Sequence, residues 1–90
     1  VKKVHLSRHA SMRALMRGAT EKEVLETIER GIAEPAKRGK WQSRCHFPGE
    51  YACADGKSYI GKTVEVIFAE EPDALVVVTV KVYYEQGGAR

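Results

Sequence analysis

Cysteine is scarce in this chain: among 90 residues only Cys45 and Cys53 occur. Two cannot build a disulfide framework, and without a Cys-x-x-Cys pair there is no zinc or redox signature. Long apolar runs are also missing, because charge interrupts every hydrophobic stretch, so no segment is expected to span a bilayer. Val1-Lys2-Lys3 is basic, but a polar, histidine-containing stretch follows it, so no secretory signal is read. A cytoplasmic protein with free thiols is the expectation. Repeats, linkers and low-complexity tracts are absent too. The remaining lack is acid. The first twenty residues hold Lys2, Lys3, Arg8, Arg13 and Arg17 but no Asp or Glu. The net charge of +3 is mild, yet this asymmetry points to an anionic partner.

What is present suffices for one small domain spanning residues 1–90, with 86–90 frayed; 43% of residues are hydrophobic, enough for one modest core. The run Leu75–Tyr84, LVVVTVKVYY, is rich in the β-branched and aromatic residues that suit a pleated surface. Strict alternation puts Val76, Val78, Val80, Val82 and Tyr84 on a core face. Leu75, Val77, Thr79, Lys81 and Tyr83 fall on the other.

Val4–Leu6 reads as a short extended lead-in. Ser7 caps a helix over Arg8–Arg17, and Gly18 ends it in the left-handed conformation. On that helix Met12, Leu15 and Met16 share the apolar face, with His9, Arg13 and Arg17 stacked along its rim at steps of four. Thr20-Glu21-Lys22-Glu23 is a capping box opening a second helix to about Arg30. Its stripe is Val24, Leu25 and Ile28, and Gly31 is its expected C′ residue. From Lys40 the period becomes strand-like. Trp41–Phe47 is a strand, Phe47-Pro48-Gly49-Glu50 a type II turn, and Tyr51–Cys53 the return. Ala54–Lys57 is a second turn, Thr63–Ala69 a strand, and Glu70–Ala74 the turn into the last strand. The fold class is α+β: an N-terminal helix hairpin packed on one face of a three- to four-stranded antiparallel sheet. The open face would carry Glu65, Thr79, Lys81 and Tyr83. Register decides whether Arg44 and His46, or Cys45 and Phe47, join it. It decides likewise whether Cys45 sits opposite Ala52 or Cys53.

Gly56–Thr63 satisfies the phosphate-binding pattern G-x-x-x-x-G-K-[ST]. That chemistry needs a helix starting at Lys62-Thr63, whereas an alternating β-branched run follows. The reading is therefore a loop with useful glycines. His5 and His46 are isolated, so no metal and no cofactor is expected. His9, Arg13 and Arg17 are the better constellation. Histidine shuttles protons near neutral pH, and arginines hold a phosphate on which charge develops. Together they suit metal-free RNA cleavage, in which a 2′-hydroxyl attacks the adjacent phosphate. The plain alternative is an interfacial histidine beside two solvated arginines.

Ser7-Arg8-His9-Ala10 with Arg13 and Arg17-Gly18, then Thr20 and Glu23-Val24, resembles the opening of small prokaryotic domains of unknown function in the RelE-like group. That group, the BECR fold, includes barnase, colicin ribonuclease domains and RelE toxins. Val76–Val80 with Tyr83-Tyr84 resembles its final strand, so the likeness covers residues 4–84. Ala19 stands where those domains commonly carry Ile. The resemblance implies a metal-independent ribonuclease toxin acting on RNA or the ribosome and paired with an antitoxin protein. The positions it carries over are His9, Arg13, Arg17, Thr79 and Tyr83. On this reading His9 or Tyr83 serves as acid or base beside Arg13 and Arg17, Glu65 is a base if it faces Tyr83, and Arg44, Thr79 and Lys81 hold the nucleic acid. The alternative is a non-catalytic module binding RNA or a protein on the open sheet face.

Overall fold

A computed structural model describes residues 2–52 and 56–86. The chain runs β1 (Lys3–Leu6), α1 (Arg8–Arg17), α2 (Glu21–Arg30), β2 (Glu34–Pro35), a 3-10 turn (Lys37–Gly39), β3 (Trp41–Ala52), β4 (Ser58–Glu70) and β5 (Ala74–Gln86). The five strands form one sheet in the order β1-β5-β4-β3-β2. The α+β class and the two helices match expectation; the sheet is wider and mixed. β1 pairs parallel to β5, Lys3 opposite Ala74 through Leu6 opposite Val77, with both helices and strands β2 to β4 lying between them in the chain. At the far edge Glu34 and Pro35 pair with Gln42 and Trp41.

Both helices start and stop where their caps dictate. Ser7 Oγ accepts from the Ala10 N–H at 3.0 Å, and Gly18 ends α1 at φ 87°. Thr20 and Glu23 exchange the two bonds of a capping box, at 3.1 and 2.9 Å. Gly31 has an ordinary φ of −76°, so it is not a left-handed cap. Glycine is needed there for space, since a Cβ would meet the Thr27 carbonyl at 2.6 Å.

The apolar face of α1 corrects expectation. Ala10 and Ala14 are the buried residues, and the helix rests on β5 through them. Met12, Leu15 and Met16 are 57%, 82% and 71% exposed. Small side chains let the helix lie close to the sheet, and the large ones are left facing outwards. Helix α2 buries Val24 and Thr27 against β3 and β4. The core is completed by Ala19, Val64, Val66, Phe68, Val77 and Val80.

Three corrections concern the strands. Pro48-Gly49 does not turn the chain: β3 continues to Ala52, Pro48 stays in register opposite Gly61, and an irregularity before Tyr51 absorbs Gly49 and Glu50. β4 begins at Ser58, so Gly61-Lys62-Thr63 lies within a strand, where no phosphate-binding helix can start. In β5, Ile67 pairs with Thr79 but Phe68 pairs with Val77, leaving Val78 as an extra residue. That bulge shifts the alternation. Val77, not Val76 or Val78, lies in the core with Val80. The expected turn at Ala54–Lys57 lies largely outside the described residues, as does Cys53, and with it any Cys45–Cys53 pairing. Cys45 sits opposite Val64 and is free.

Alternation along β4 also turns Lys62 toward the helices. Its Nζ donates to the Gly18 carbonyl at 2.7 Å and to Glu23 Oε1 at 2.8 Å, and lies 4.5 Å from the centre of the Tyr51 ring. One ammonium thus ties the end of α1 and the start of α2 to the sheet. Burial pushes the Glu23 carboxyl up, but hydrogen bonds from Lys62 and Thr20 and the Lys62 charge outweigh it and hold the group below its ordinary value.

Candidate functional site

The face of the sheet away from the helices is built in rungs. Register places Gln42, Ile67 and Thr79 in one row, Arg44, Glu65 and Lys81 in the next, and His46, Thr63 and Tyr83 in the third. Arg44 and His46 therefore join the open face, and Cys45 and Phe47 turn toward the helices. Neighbouring strand residues point to opposite sides, so Cys45 and His46 form no dyad.

Glu65 is the pivot of the middle rung. Arg44 Nε donates to its Oε2 at 2.5 Å; the Glu65 side chain is 4% exposed and that of Arg44 is 61% exposed. The hydrogen bond Arg44 donates to Glu65, and then the Glu65 charge, pushes the Arg44 guanidinium further above its ordinary value. A carboxylate sunk between Arg44 and Lys81 leaves both cations directed outward and the rung net positive. Tyr83 is one rung away and diagonal to Glu65; the residue directly across from Tyr83 is Thr63. At the far end His46 Nε2 and Glu85 Oε1 are 3.0 Å apart.

Two grooves meet at Lys81. The larger, about 650 Å³, follows the outer edge of β5 and is lined by Leu15, Met16, Arg17, Lys81, Tyr83 and Tyr84 among others. The second, about 370 Å³, lies across the open face and is lined by Lys37, Arg38, Lys40, Gln42, Ile67 and Lys81, with Ala36. The loop that supplies its cations is tightly closed. Ala36 N–H donates to the Lys40 carbonyl at 2.7 Å, and Lys40 N–H to the Lys37 carbonyl at 3.2 Å. Arg38 takes φ 60°, uncommon outside glycine, and Gly39 follows at φ 72°. Lys37 and Arg38 are left exposed at the rim. Sequence reasoning counted these cations only within the net charge of +3. The signal was there, since Lys37-Arg38-Gly39-Lys40 packs three cations around a turn-forming glycine.

The predicted site residues divide into two groups. Arg44, Thr79, Lys81 and Tyr83 share the open face, and Arg17 joins Lys81 and Tyr83 around the larger groove. One Arg17 donor, Nη1, is spent on the Val80 carbonyl at 2.7 Å, which fixes the guanidinium at the edge of β5. His9 and Arg13 do not line that groove. His9 is exposed, and its Nε2 accepts from Arg13 Nε at 3.4 Å. Among the described residues no three His, Cys, Asp or Glu side chains gather as a metal site. No helix among them is long and apolar enough to cross a membrane.

A family model, Domain of unknown function (DUF4258), matches residues 6–82. The match spans most of the chain, which therefore belongs to that family. No curated protein and no solved structure matches it.

Proposed function

We propose that this DUF4258 domain is a RelE-like module that binds RNA across the open face of its sheet. The supporting observation is the position of Lys81. It joins a groove holding Arg17 and Tyr83 to one ringed by Lys37, Arg38 and Lys40, with Arg44 on the same rung beyond Glu65. A line of cations follows a phosphate backbone, and an exposed tyrosine among them offers a base a stacking surface. On this reading the domain works in the cytoplasm, free RNA or the ribosome is its target, and an antitoxin protein is its counterpart.

Metal-independent cleavage is the second reading, favoured by Arg17, Lys81 and Tyr83 lining one groove. In that step the RNA 2′-oxygen bonds to phosphorus and gives up its proton, the bond from phosphorus to the 5′-oxygen breaks, and that oxygen takes a proton. The products are a 2′,3′-cyclic phosphate and a 5′-hydroxyl. Two cations and a phenolic proton donor suit the charged intermediate and the leaving group. The step also needs an acceptor for the first proton, and neither His9 nor Glu65 lines the groove. Binding therefore stands first.

The test is fluorescence anisotropy of a single-stranded RNA oligonucleotide titrated with protein over a range of salt. Lys81→Ala should shallow the slope of log affinity against log salt by about 0.7, and Lys37→Ala with Arg38→Ala by about twice that. Wild-type protein with no salt-sensitive affinity would remove the RNA reading. The same RNA, incubated in EDTA alone and with translating ribosomes, tests the second reading. Cleavage by wild type that is lost in Tyr83→Phe establishes it; intact RNA in both settings leaves binding alone.

A further inference from the structure

Among the described residues, β5 has strands on both sides only over its first four residues. β1 covers Ala74–Val77, and Ser7 N–H closes the pairing on the Val77 carbonyl at 3.0 Å. Arg17 then occupies the Val80 carbonyl, which points away from β4. Beyond it no strand among the described residues lies beside β5 on that side. Val82 has the same parity as Val80, so its main chain also faces outwards. Immediately beside this edge are Leu15 and Met16, the two most exposed apolar side chains of α1, which line the groove along it.

An open strand edge invites pairing with any extended chain, and charge on the edge is the usual guard. The guards here have a particular spacing. Place a second β5 antiparallel to the first, with Tyr83 opposite its own symmetry mate. Lys81 then falls opposite Glu85 of the second copy, and Glu85 opposite its Lys81. Val82 falls opposite Tyr84. Lys81, Tyr83 and Glu85 lie on the open face, and Val82 and Tyr84 on the helix side. Moving the centre to Lys81 sets that residue against itself. Because Val82 faces outwards, its rung is a hydrogen-bonded one. The Lys81–Glu85 and Tyr83–Tyr83 rungs are then the close-packed kind that bring side chains nearest. On the helix side, Leu15 and Met16 of each copy are covered by the Val82 side of the other.

We infer that the outer edge of β5, residues 81–85, together with Leu15 and Met16, is a docking surface for a second copy of this chain. The pairing is two-fold and self-complementary, and it extends the sheet through the dimer. Lys81 and Glu85 repel unrelated strands of matching charge and admit their own. The dimer does not depend on the RNA reading. Where that reading holds, the second copy covers the groove containing Arg17, Lys81 and Tyr83, so dimerisation and RNA compete.

The experiment is sedimentation equilibrium of the full chain from micromolar to millimolar concentration, with thermal melts to confirm folding. Wild type should show a reversible monomer–dimer equilibrium. Lys81→Glu and Glu85→Lys should each weaken it about tenfold, because two symmetry-related attractions become repulsions. The double variant should restore it, even if Lys81→Glu alone lowers the melting temperature. Leu15→Glu should abolish it. A wild type that stays monomeric overturns the inference, as do single reversals that dimerise like wild type. A monomer that binds RNA removes the dimer and keeps the RNA reading; a chain that dimerises when concentrated but binds no RNA when diluted to monomer supports the dimer and removes that reading.

Discussion

Two ion pairs flank β4, one on each side of the sheet, and they are built in opposite senses. On the helix side the cation is the buried partner: the side chain of Lys62 is 4% exposed and that of Glu23 is 18% exposed. On the open side the anion is buried and Arg44 stands in solvent. The ammonium of Lys62 is used up by Gly18, Glu23 and the Tyr51 ring, so nothing remains for a ligand. Arg44 spends Nε on Glu65 and keeps its remaining donors for whatever approaches. The same two charges make a rivet on one side and a presented cation on the other. Which partner is buried decides the difference.

The largest test of this contrast is Lys62→Ala. It strands the Glu23 carboxylate and the Gly18 carbonyl at the helix junction and empties part of the core, so it should cost about 3 kcal/mol in urea unfolding. A loss similar to that of an ordinary surface lysine would show the rivet to be inert. The pH dependence comes next. Glu23 has a folded value below the ordinary 4.5, so its contribution is complete above the unfolded value and is lost as pH falls through the lower folded one. The gap in stability between wild type and Glu23→Gln should therefore be widest at neutral pH and close in acid. A gap that grows in acid would reverse the sign assigned to the pair. The smallest stability effect belongs to Arg44→Ala. Removing an exposed guanidinium lets water reach Glu65, so its melting temperature should fall far less than that of Lys62→Ala. RNA affinity should fall nonetheless, with the salt slope shallower by about 0.7. A melting loss equal to that of Lys62→Ala would erase the distinction between the two pairs.

The rivet also marks where sequence reasoning stopped. Helix ends were legible because caps act locally: Ser7, Gly18 and the Thr20–Glu23 box determine their own surroundings within a few residues. The open face was legible in Glu65, Thr79, Lys81 and Tyr83, since alternation holds between irregularities. Lys62 was hidden because its glycine-flanked motif resembles a loop. Only the length of β4, decided by its partners, carries the alternation back from Val64 to Lys62. The exposed face of α1 was misjudged for a related reason. Hydrophobicity ranks Met12, Leu15 and Met16 above Ala10 and Ala14, but close approach to a sheet favours the smaller residues. The parallel pairing of β1 and the groove shared by Arg17, Lys81 and Tyr83 depend on contacts distant in sequence, and no local pattern announces them.

The extra residue in β5 has a consequence for comparison with kin. Val78 separates two half-strands of opposite phase, so a periodic template laid over the whole strand agrees with one half and contradicts the other. If Val78 is lost, Val77 and Val80 keep their inward side and Thr79 keeps its outward one, and the strand becomes regular. An insertion in the Val80–Tyr84 half would turn Lys81 inward or Val82 outward. When related chains are aligned, a one-residue gap in this strand therefore belongs beside Val78, and gaps elsewhere in it signal a misplaced register.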